Sequence, residues 1–224
     1  AFEAALALDG RIGPVRAAYT RHLLLQGQIE TLVKAWAAEA GLERDSARAA
    51  RLLYFAGRLA SERLDQKPQA VELFERAAQS EAATPSIRRA ALRELVRLHE
   101  ALGARDRAAA IANQVLGLAR DAEQPYWHRR LVGLCEGLGR HAEMAMHAHQ
   151  VLTAEPDDEV MRDKLDRALA ALGRHSDRVA MLTEQAAQAS TPAARIEILQ
   201  RAAGIAEHDL GQPDLALFHL RSAW

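Results

Sequence analysis

Four of the nine histidines, together with the single cysteine, are the candidates of this sequence for metal binding or nucleophilic chemistry. His141, His147 and His149 fall on one predicted helix, and His175 begins a later one. Neutral imidazoles bind a metal ion when several of them point inward together. Residues two apart on a helix, such as His147 and His149, diverge by about 200° and cannot easily share one ion. We therefore expect surface histidines and no metal site.

The single cysteine, Cys135, limits thiol chemistry. One cysteine forms neither an internal disulfide nor a cysteine-based zinc site. Its place in a predicted helix favours a buried, inert thiol over a reactive one. The sequence also has no Gly-rich phosphate loop after a strand, no Gly-x-Ser-x-Gly elbow and no His-Glu-x-x-His motif. We therefore predict that the chain is not an enzyme and holds no cofactor.

The composition predicts a soluble, all-helical chain. Of the 224 residues, 49% are hydrophobic and 26% are charged, the balance of a folded protein. Aromatic residues make up only 4%, too few for a typical β-sheet core, while the helix formers alanine, leucine, arginine and glutamate are abundant. The 29 basic and 30 acidic residues nearly cancel, which argues against nucleic-acid binding by bulk charge. Charged residues interrupt every apolar stretch before about 18 residues, which argues against membrane insertion. With no export signal visible, we expect a cytoplasmic protein, and a periplasmic location stays open.

Regular breaks divide the predicted helices into hairpins. One set of breaks recurs at intervals of 34 to 38 residues, where a glycine can adopt the left-handed conformation that ends a helix. These breaks are Gly27-Gln28, Asp65-Gln66, Gly103-Ala104, Gly139-Arg140, Gly173-Arg174 and Gly211-Gln212. Between them, Thr84-Pro85 and Thr191-Pro192 each place a capping hydroxyl before a proline at the first helical position.

The second helix of each hairpin carries a repeated pattern. Positions five, nine and twelve beyond the break lie on one helical face, with small residues at the outer two places and a larger one between them. The pattern is Ala70, Phe74 and Ala77 after Asp65, and Ala216, Leu220 and Ala223 after Gly211. It resembles the second helix of the tetratricopeptide repeat (TPR), which reads Ala-x3-aromatic-x2-Ala. The hairpin after Gly173 departs from it, with Arg178, Leu182 and Gln185.

The resemblance implies an all-α fold, namely a right-handed α-solenoid of antiparallel helix-turn-helix repeats. We assign residues 1–224 to a single array, preceded by a partial repeat at 1–10, and we expect it to be part of a longer repeat protein. The hairpins are assigned to residues 11–44, 45–83, 84–122, 123–156, 157–190 and 191–224. The leucines at helical spacing, which include Leu92, Leu95, Leu131, Leu134, Leu165 and Leu169, are expected in the core. Trp36, Trp127 and Trp224 are expected at interfaces, with Trp127 exposed.

In the TPR pattern, the places that face the concave groove lie ten and six residues before the turn. Five of the six hairpins offer an arginine there, and Tyr126, near Arg129, is expected to point the same way. The resulting groove candidates are Arg21, Arg93, Arg97, Tyr126, Arg129, Arg167 and Arg201. Arg93 and Arg97 are one turn apart and could grip one carboxylate together. The alternative is that these arginines pair with acids on neighbouring helices.

The resulting functional prediction is a non-catalytic protein-interaction scaffold. Its concave groove would hold a peptide or domain of a partner protein, with an acidic segment as the expected ligand. Two other classes stay open. One is a module that binds a polymer, either polysaccharide or RNA. The other is a regulatory segment of a larger enzyme or transcription regulator.

Overall fold

The computed structural model describes residues 13–81 and 83–223. These residues form twelve α-helices and a short 3₁₀ helix at Asp121–Glu123, with no β-strand among them. The helices are α1 (Gly13–Leu25), α2 (Ile29–Leu42), α3 (Ser46–Arg63), α4 (Lys67–Gln79), α5 (Pro85–Ala101), α6 (Arg105–Leu118), α7 (Gln124–Leu138), α8 (His141–Ala154), α9 (Glu159–Ala171), α10 (His175–Gln188), α11 (Pro192–His208) and α12 (Pro213–Ser222). The prediction of an all-α fold of antiparallel helical hairpins is confirmed.

The chain divides into two compact units, unit 1 (Ala1–Trp127) and unit 2 (His128–Trp224). In unit 1 each helix from α1 to α6 packs on the next, and in unit 2 the same holds from α8 to α12. The assignment of residues 1–224 to one array stays a prediction. The partial repeat at 1–10 and the interface expected at Trp224 lie outside the described residues.

The turns within the hairpins follow the sequence pattern. Glycine occupies the left-handed region at five of the six breaks, for example at Gly103 with φ 73°. At the sixth break Asp65 takes the same region with φ 51°, although it carries a side chain. Asp tolerates this conformation better than most residues because its short polar side chain bonds locally. Such a residue ends one helix and lets the next turn back against it.

Threonine caps begin α5 and α11 as predicted. The Thr84 hydroxyl accepts a hydrogen bond from the Ile87 N–H, and the Thr191 hydroxyl accepts one from the Ala194 N–H. In both helices a proline follows in the first turn, where its missing N–H has no cost. These caps satisfy backbone donors that have no partner within the helix.

The first hairpin interface with a full TPR pattern is that of α3 and α4 in unit 1. Ala70, Phe74 and Ala77 are completely buried. The Phe74 ring lies against Gly57 of α3, where an added Cβ would stand only 3.0 Å from a ring carbon. Glycine at position 57 and alanines on either side of the ring thus allow the two helices to approach closely.

The apolar core of unit 2 contains two separate large clusters. One cluster joins α7, α8 and α9 and includes Cys135, and the other joins α10, α11 and α12 around Leu182. The partly buried Met181 packs against both clusters. The leucines predicted for the core, from Leu92 to Leu169, are all buried.

Two sequence expectations about exposure are wrong. Trp127 is buried, and the guanidinium of Arg93 lies over its indole with its central carbon 5.8 Å from the ring centroid. His147 is also buried, because it faces the neighbouring helix α7 and pairs there with His128. Of the other three histidines, His149 is exposed, whereas His141 and His175 are half-buried.

Candidate functional site

Two arginines and a tyrosine of unit 1 form what we call the basic patch: Arg93, Arg97 and Tyr126. Arg93 and Arg97 stand one turn apart on α5. Arg97 donates from Nε to Glu94 at 2.9 Å and from Nη2 to the Ser61 hydroxyl at 3.1 Å. Because Ser61 lies on α3, the first helix of the preceding hairpin, Arg97 lies on the side of unit 1 where first helices meet.

Arg93 is held by an acid and an aromatic ring. Its Nη2 is 2.9 Å from Glu123 Oε1, and its guanidinium lies over Trp127 within reach of a cation–π interaction. Hydrogen bonding from Arg93 holds the pKa of Glu123 below its usual value. Tyr126 stands beside Trp127 with ring centroids 5.2 Å apart and is itself exposed. The patch therefore combines two ordered cations with an accessible aromatic side chain.

Arg129 in unit 2 is engaged in a structural cluster. Its guanidinium donates to two carboxylates of the α8–α9 connection, with 3.0 Å from Nη1 to Glu155 and 3.0 Å from Nε to Asp158. Burial raises the pKa of Asp158, but the hydrogen bonds from Arg129 and the Met161 N–H outweigh it and hold that pKa below the usual value. Asp158 also caps α9 through that N–H. Arg129 thus ties α7 to the start of α9.

The other groove candidates differ in how firmly they are held. Arg167 pairs with Asp163 one turn earlier on α9, and both side chains are largely exposed. Arg201 of α11 reaches Asp166 of α9 at 3.5 Å, which again links two first helices. Arg21 on α1 is exposed and makes no ion pair with any residue that the structure describes. The pairing of arginines with acids on neighbouring helices accounts for several of these side chains.

Two imidazoles face each other inside unit 2. His128 Nδ1 and His147 Nδ1 are 2.9 Å apart, so one ring donates its proton to the other. Burial, with a smaller contribution from His128, lowers the pKa of His147 to about 4. The spacing of His147 and His149 correctly separates those two side chains. That spacing does not predict the contact with His128, because the two paired histidines lie 19 residues apart in the sequence.

Cys135 lies in the cluster of α7, α8 and α9 as a free, buried thiol, as the sequence analysis expects. Burial raises its pKa to about 11, so the thiol stays protonated at neutral pH. Across residues 13–81 and 83–223, no three His, Cys, Asp or Glu side chains converge as metal ligands would. Within the same residues, each helix is too short or too polar to cross a bilayer.

The helical-hairpin arrangement is similar to several solved structures. YrrB, described as a TPR protein with an unusual peptide-binding site, is 14% identical, with a TM-score of 0.48 over 99% of this chain and 98% of its own. MamA is 9% identical, with a TM-score of 0.48 over 88% of this chain and 93% of its own. A tetratricopeptide repeat protein from Parabacteroides merdae is 12% identical, with a TM-score of 0.43 over 99% and 89% of the two chains. No protein-family model matches the sequence, and no curated protein matches it.

Proposed function

We propose that this chain is a non-catalytic interaction scaffold and that the basic patch of unit 1 binds an acidic segment of a partner protein. The observation that carries the proposal is the pair Arg93 and Arg97, which stand one turn apart, held by neighbouring side chains yet still open to solvent. Their side chains are 41% and 52% exposed. Arginine clusters of this kind recognise acidic and carboxylate-bearing peptides.

The hydrogen bonds within the patch leave donors for a ligand. A guanidinium carries five N–H donors in a rigid plane. Arg97 uses two of its nitrogens on Glu94 and Ser61, and its remaining nitrogen is available to a ligand carboxylate. Because these contacts already order the side chain, binding costs less rotamer entropy than it would for a free arginine.

Tyr126 supplies the contact area that ion pairs alone lack. Its ring is packed edge-on against Trp127, so it is oriented before a ligand arrives. Exposed, oriented tyrosines contribute strongly to protein interfaces because they combine a large apolar face with a hydroxyl group. We therefore expect the acidic segment to carry an apolar or aromatic residue beside its carboxylates.

The titratable groups of the interior support a binding role without catalysis. His147 and the Cys135 thiol are buried, His128 is half-buried, and all three are neutral near pH ~7. Neither of them joins the basic patch. A charged, shallow surface and an interior without reactive groups are what a binding module requires.

Fluorescence anisotropy with a labelled peptide that combines a run of Asp and Glu with one Trp tests the proposal. We expect Arg93→Glu with Arg97→Glu to weaken binding by at least about tenfold, because each reversal replaces an attraction by a repulsion. Arg76→Glu with Arg107→Glu is the matched control, since it makes the same charge change on exposed arginines of α4 and α6. If both double variants lose the same affinity, the peptide is held by net charge and the patch is not its site.

The same assay separates the scaffold from a polymer-binding module. A labelled single-stranded oligonucleotide and a labelled acidic polysaccharide replace the peptide, at low and at physiological salt. Phosphate contacts would give an affinity that falls steeply with salt. Binding of either polymer that exceeds peptide binding at physiological salt would contradict the scaffold proposal.

A further inference from the structure

Unit 2 contains an open cleft on its second-helix side, which we call the α8–α10 cleft. Its volume is about 700 Å³. Apolar residues from all three helices contribute about half of its lining, and Met146 among them is 53% exposed. Residues of α8, α9 and α10 form the walls, among them Ala145, Met146, Leu165, Leu169, Ala180 and Met181. A cleft of this size and polarity lies in the range of ligand sites.

Helix α10, which lines the cleft, departs from the small-residue pattern. Arg178 stands where α4 has Ala70, and Gln185 stands where α4 has Ala77. Arg178 extends to Asp166 of α9 and forms two hydrogen bonds of 2.8 and 3.2 Å with its carboxylate. In α4, alanine at this position lets the two helices of the hairpin approach closely. In α10, the long arginine side chain occupies that interface, and the apolar core of unit 2 is divided into two clusters there.

Two charged residues that line the cleft, Arg162 and Glu184, form no ion pair with the part of the chain that the structure describes. Arg162 of α9 donates from Nη2 to the Pro156 carbonyl oxygen at 2.5 Å and forms no ion pair with the described acids. Glu184 of α10 likewise pairs with no cation of the described chain. The cleft therefore offers apolar lining residues, one available cation and one available anion.

Helix α12 of the same unit exposes a face with the complementary pattern. Asp214, Leu217, Phe218 and Arg221 are spaced i, i+3, i+4 and i+7, so they share one side of the helix. All four are exposed, with Phe218 at 60%. Neither Asp214 nor Arg221 forms an ion pair with any residue in the described ranges. Two large apolar side chains thus stand between an anion and a cation that lie about 10 Å apart along the axis.

We propose that α12 of one copy of the chain docks in the α8–α10 cleft of a second copy. Leu217 and Phe218 would enter the cleft beside Met146 and Met181, because flexible methionines adapt to an incoming apolar helix face. Asp214 would meet Arg162, and Arg221 would meet Glu184. This surface lies on the second-helix side and is independent of the basic patch of unit 1.

The contact is heterologous, since the two copies contribute different surfaces. In a pair of copies, one copy still has an unoccupied cleft and the other an unoccupied α12, so association continues beyond a dimer unless the rotation closes a ring. We therefore expect the mass of the particle to rise with protein concentration in sedimentation velocity, without a plateau at two copies.

Complementation between two surface variants tests this geometry. Phe218→Glu damages the donor helix and leaves the cleft intact, and Met146→Glu damages the cleft and leaves the donor helix intact. Alone, each variant should need at least about tenfold higher concentration to associate, the loss expected for one central interface residue. Mixed together, they should form a discrete dimer, because one intact cleft and one intact α12 remain.

The control is Leu102→Glu, which places the same charge on an exposed leucine of unit 1 and should associate like the wild type. Circular dichroism confirms that each variant is folded. A chain that stays monomeric at every concentration overturns the proposal. The proposal is also overturned if both single variants associate as strongly as the wild type. It is equally overturned if the mixture of the two variants forms no dimer.

Discussion

Helices α4 and α10 are both second helices of hairpins, yet they pack against their first helices in different ways. In α4, Ala70 and Ala77 flank Phe74, and its ring fills the space that Gly57 leaves open. In α10, Arg178 and Gln185 take the alanine places, and a cleft opens beside the helix. The two hairpins share their turn geometry, with Asp65 and Gly173 in the same left-handed region.

The difference shows that the turn and the interface are specified by different residues. A residue in the left-handed conformation reverses the direction of the chain whichever residues follow it, so both hairpins form. How closely the helices approach depends on side-chain size at two positions of the second helix. Where those positions are small, apolar packing holds the hairpin together. Where they are long and polar, an ion pair between α9 and α10 takes over part of that role.

The largest effect is expected from the α3–α4 interface. Phe74→Ala should lower the free energy of unfolding by about 3–5 kcal/mol, because Gly57 has no side chain with which to fill the cavity. Chemical denaturation followed by circular dichroism measures the change. The matched variant is Met181→Ala beside the cleft, which should cost about 1 kcal/mol, since this side chain is only partly buried. Equal losses for the two variants would contradict the contrast between the helices.

The sequence predicts the hairpins well because their signals are local. The left-handed breaks and the Thr-Pro caps act on neighbouring residues, and each can be recognised without knowing the fold. The core leucines follow from helical periodicity in the same way. The departure from the small-residue pattern at Arg178 and Gln185 is also visible in the sequence, and it falls on a helix that lines the cleft.

Contacts between helices are what the sequence does not reveal. Trp127 is buried, and Arg93 from a different hairpin lies over it. His147 is buried because His128 stands opposite on α7. The expected groove arginines show the same limit, since a position on a helix face does not say whether the side chain is open, like Arg97, or held by two carboxylates, like Arg129.

A second, smaller effect is expected from the ion pair of α9 and α10. Asp166→Ala should lower the free energy of unfolding by about 3 kcal/mol, because it leaves the little-exposed guanidinium of Arg178 without its main partner. Asp163→Ala is the matched control on the same helix. Its pair with Arg167 is largely exposed, so the loss should stay under about 0.5 kcal/mol. Urea denaturation at neutral pH measures the loss of unfolding free energy for both variants. Similar losses would mean that the ion pair does not hold α10.

The smallest effect concerns the position eight residues beyond the break, where α4 has Leu73 and α8 has His147. Both are buried, but only the imidazole can take up a proton. The pKa of His147 is lowered from 6.5 to about 4 by burial, so the unfolded chain binds a proton more readily than the folded one. The free energy of unfolding should therefore fall by about 2 kcal/mol from about pH 7 to about pH 5, and level off below about pH 4.

His147→Leu restores the apolar residue of α4 at this position and should remove most of that dependence on pH. His149→Leu, on the exposed side of the same helix, should reproduce the wild-type profile. Denaturation at a series of matched pH values gives the slope of the unfolding free energy against pH for the wild type and the two variants. If His147→Leu keeps the wild-type slope, other buried imidazoles carry the pH dependence. His99 and His219, whose pKa values burial also lowers, would be the next to substitute.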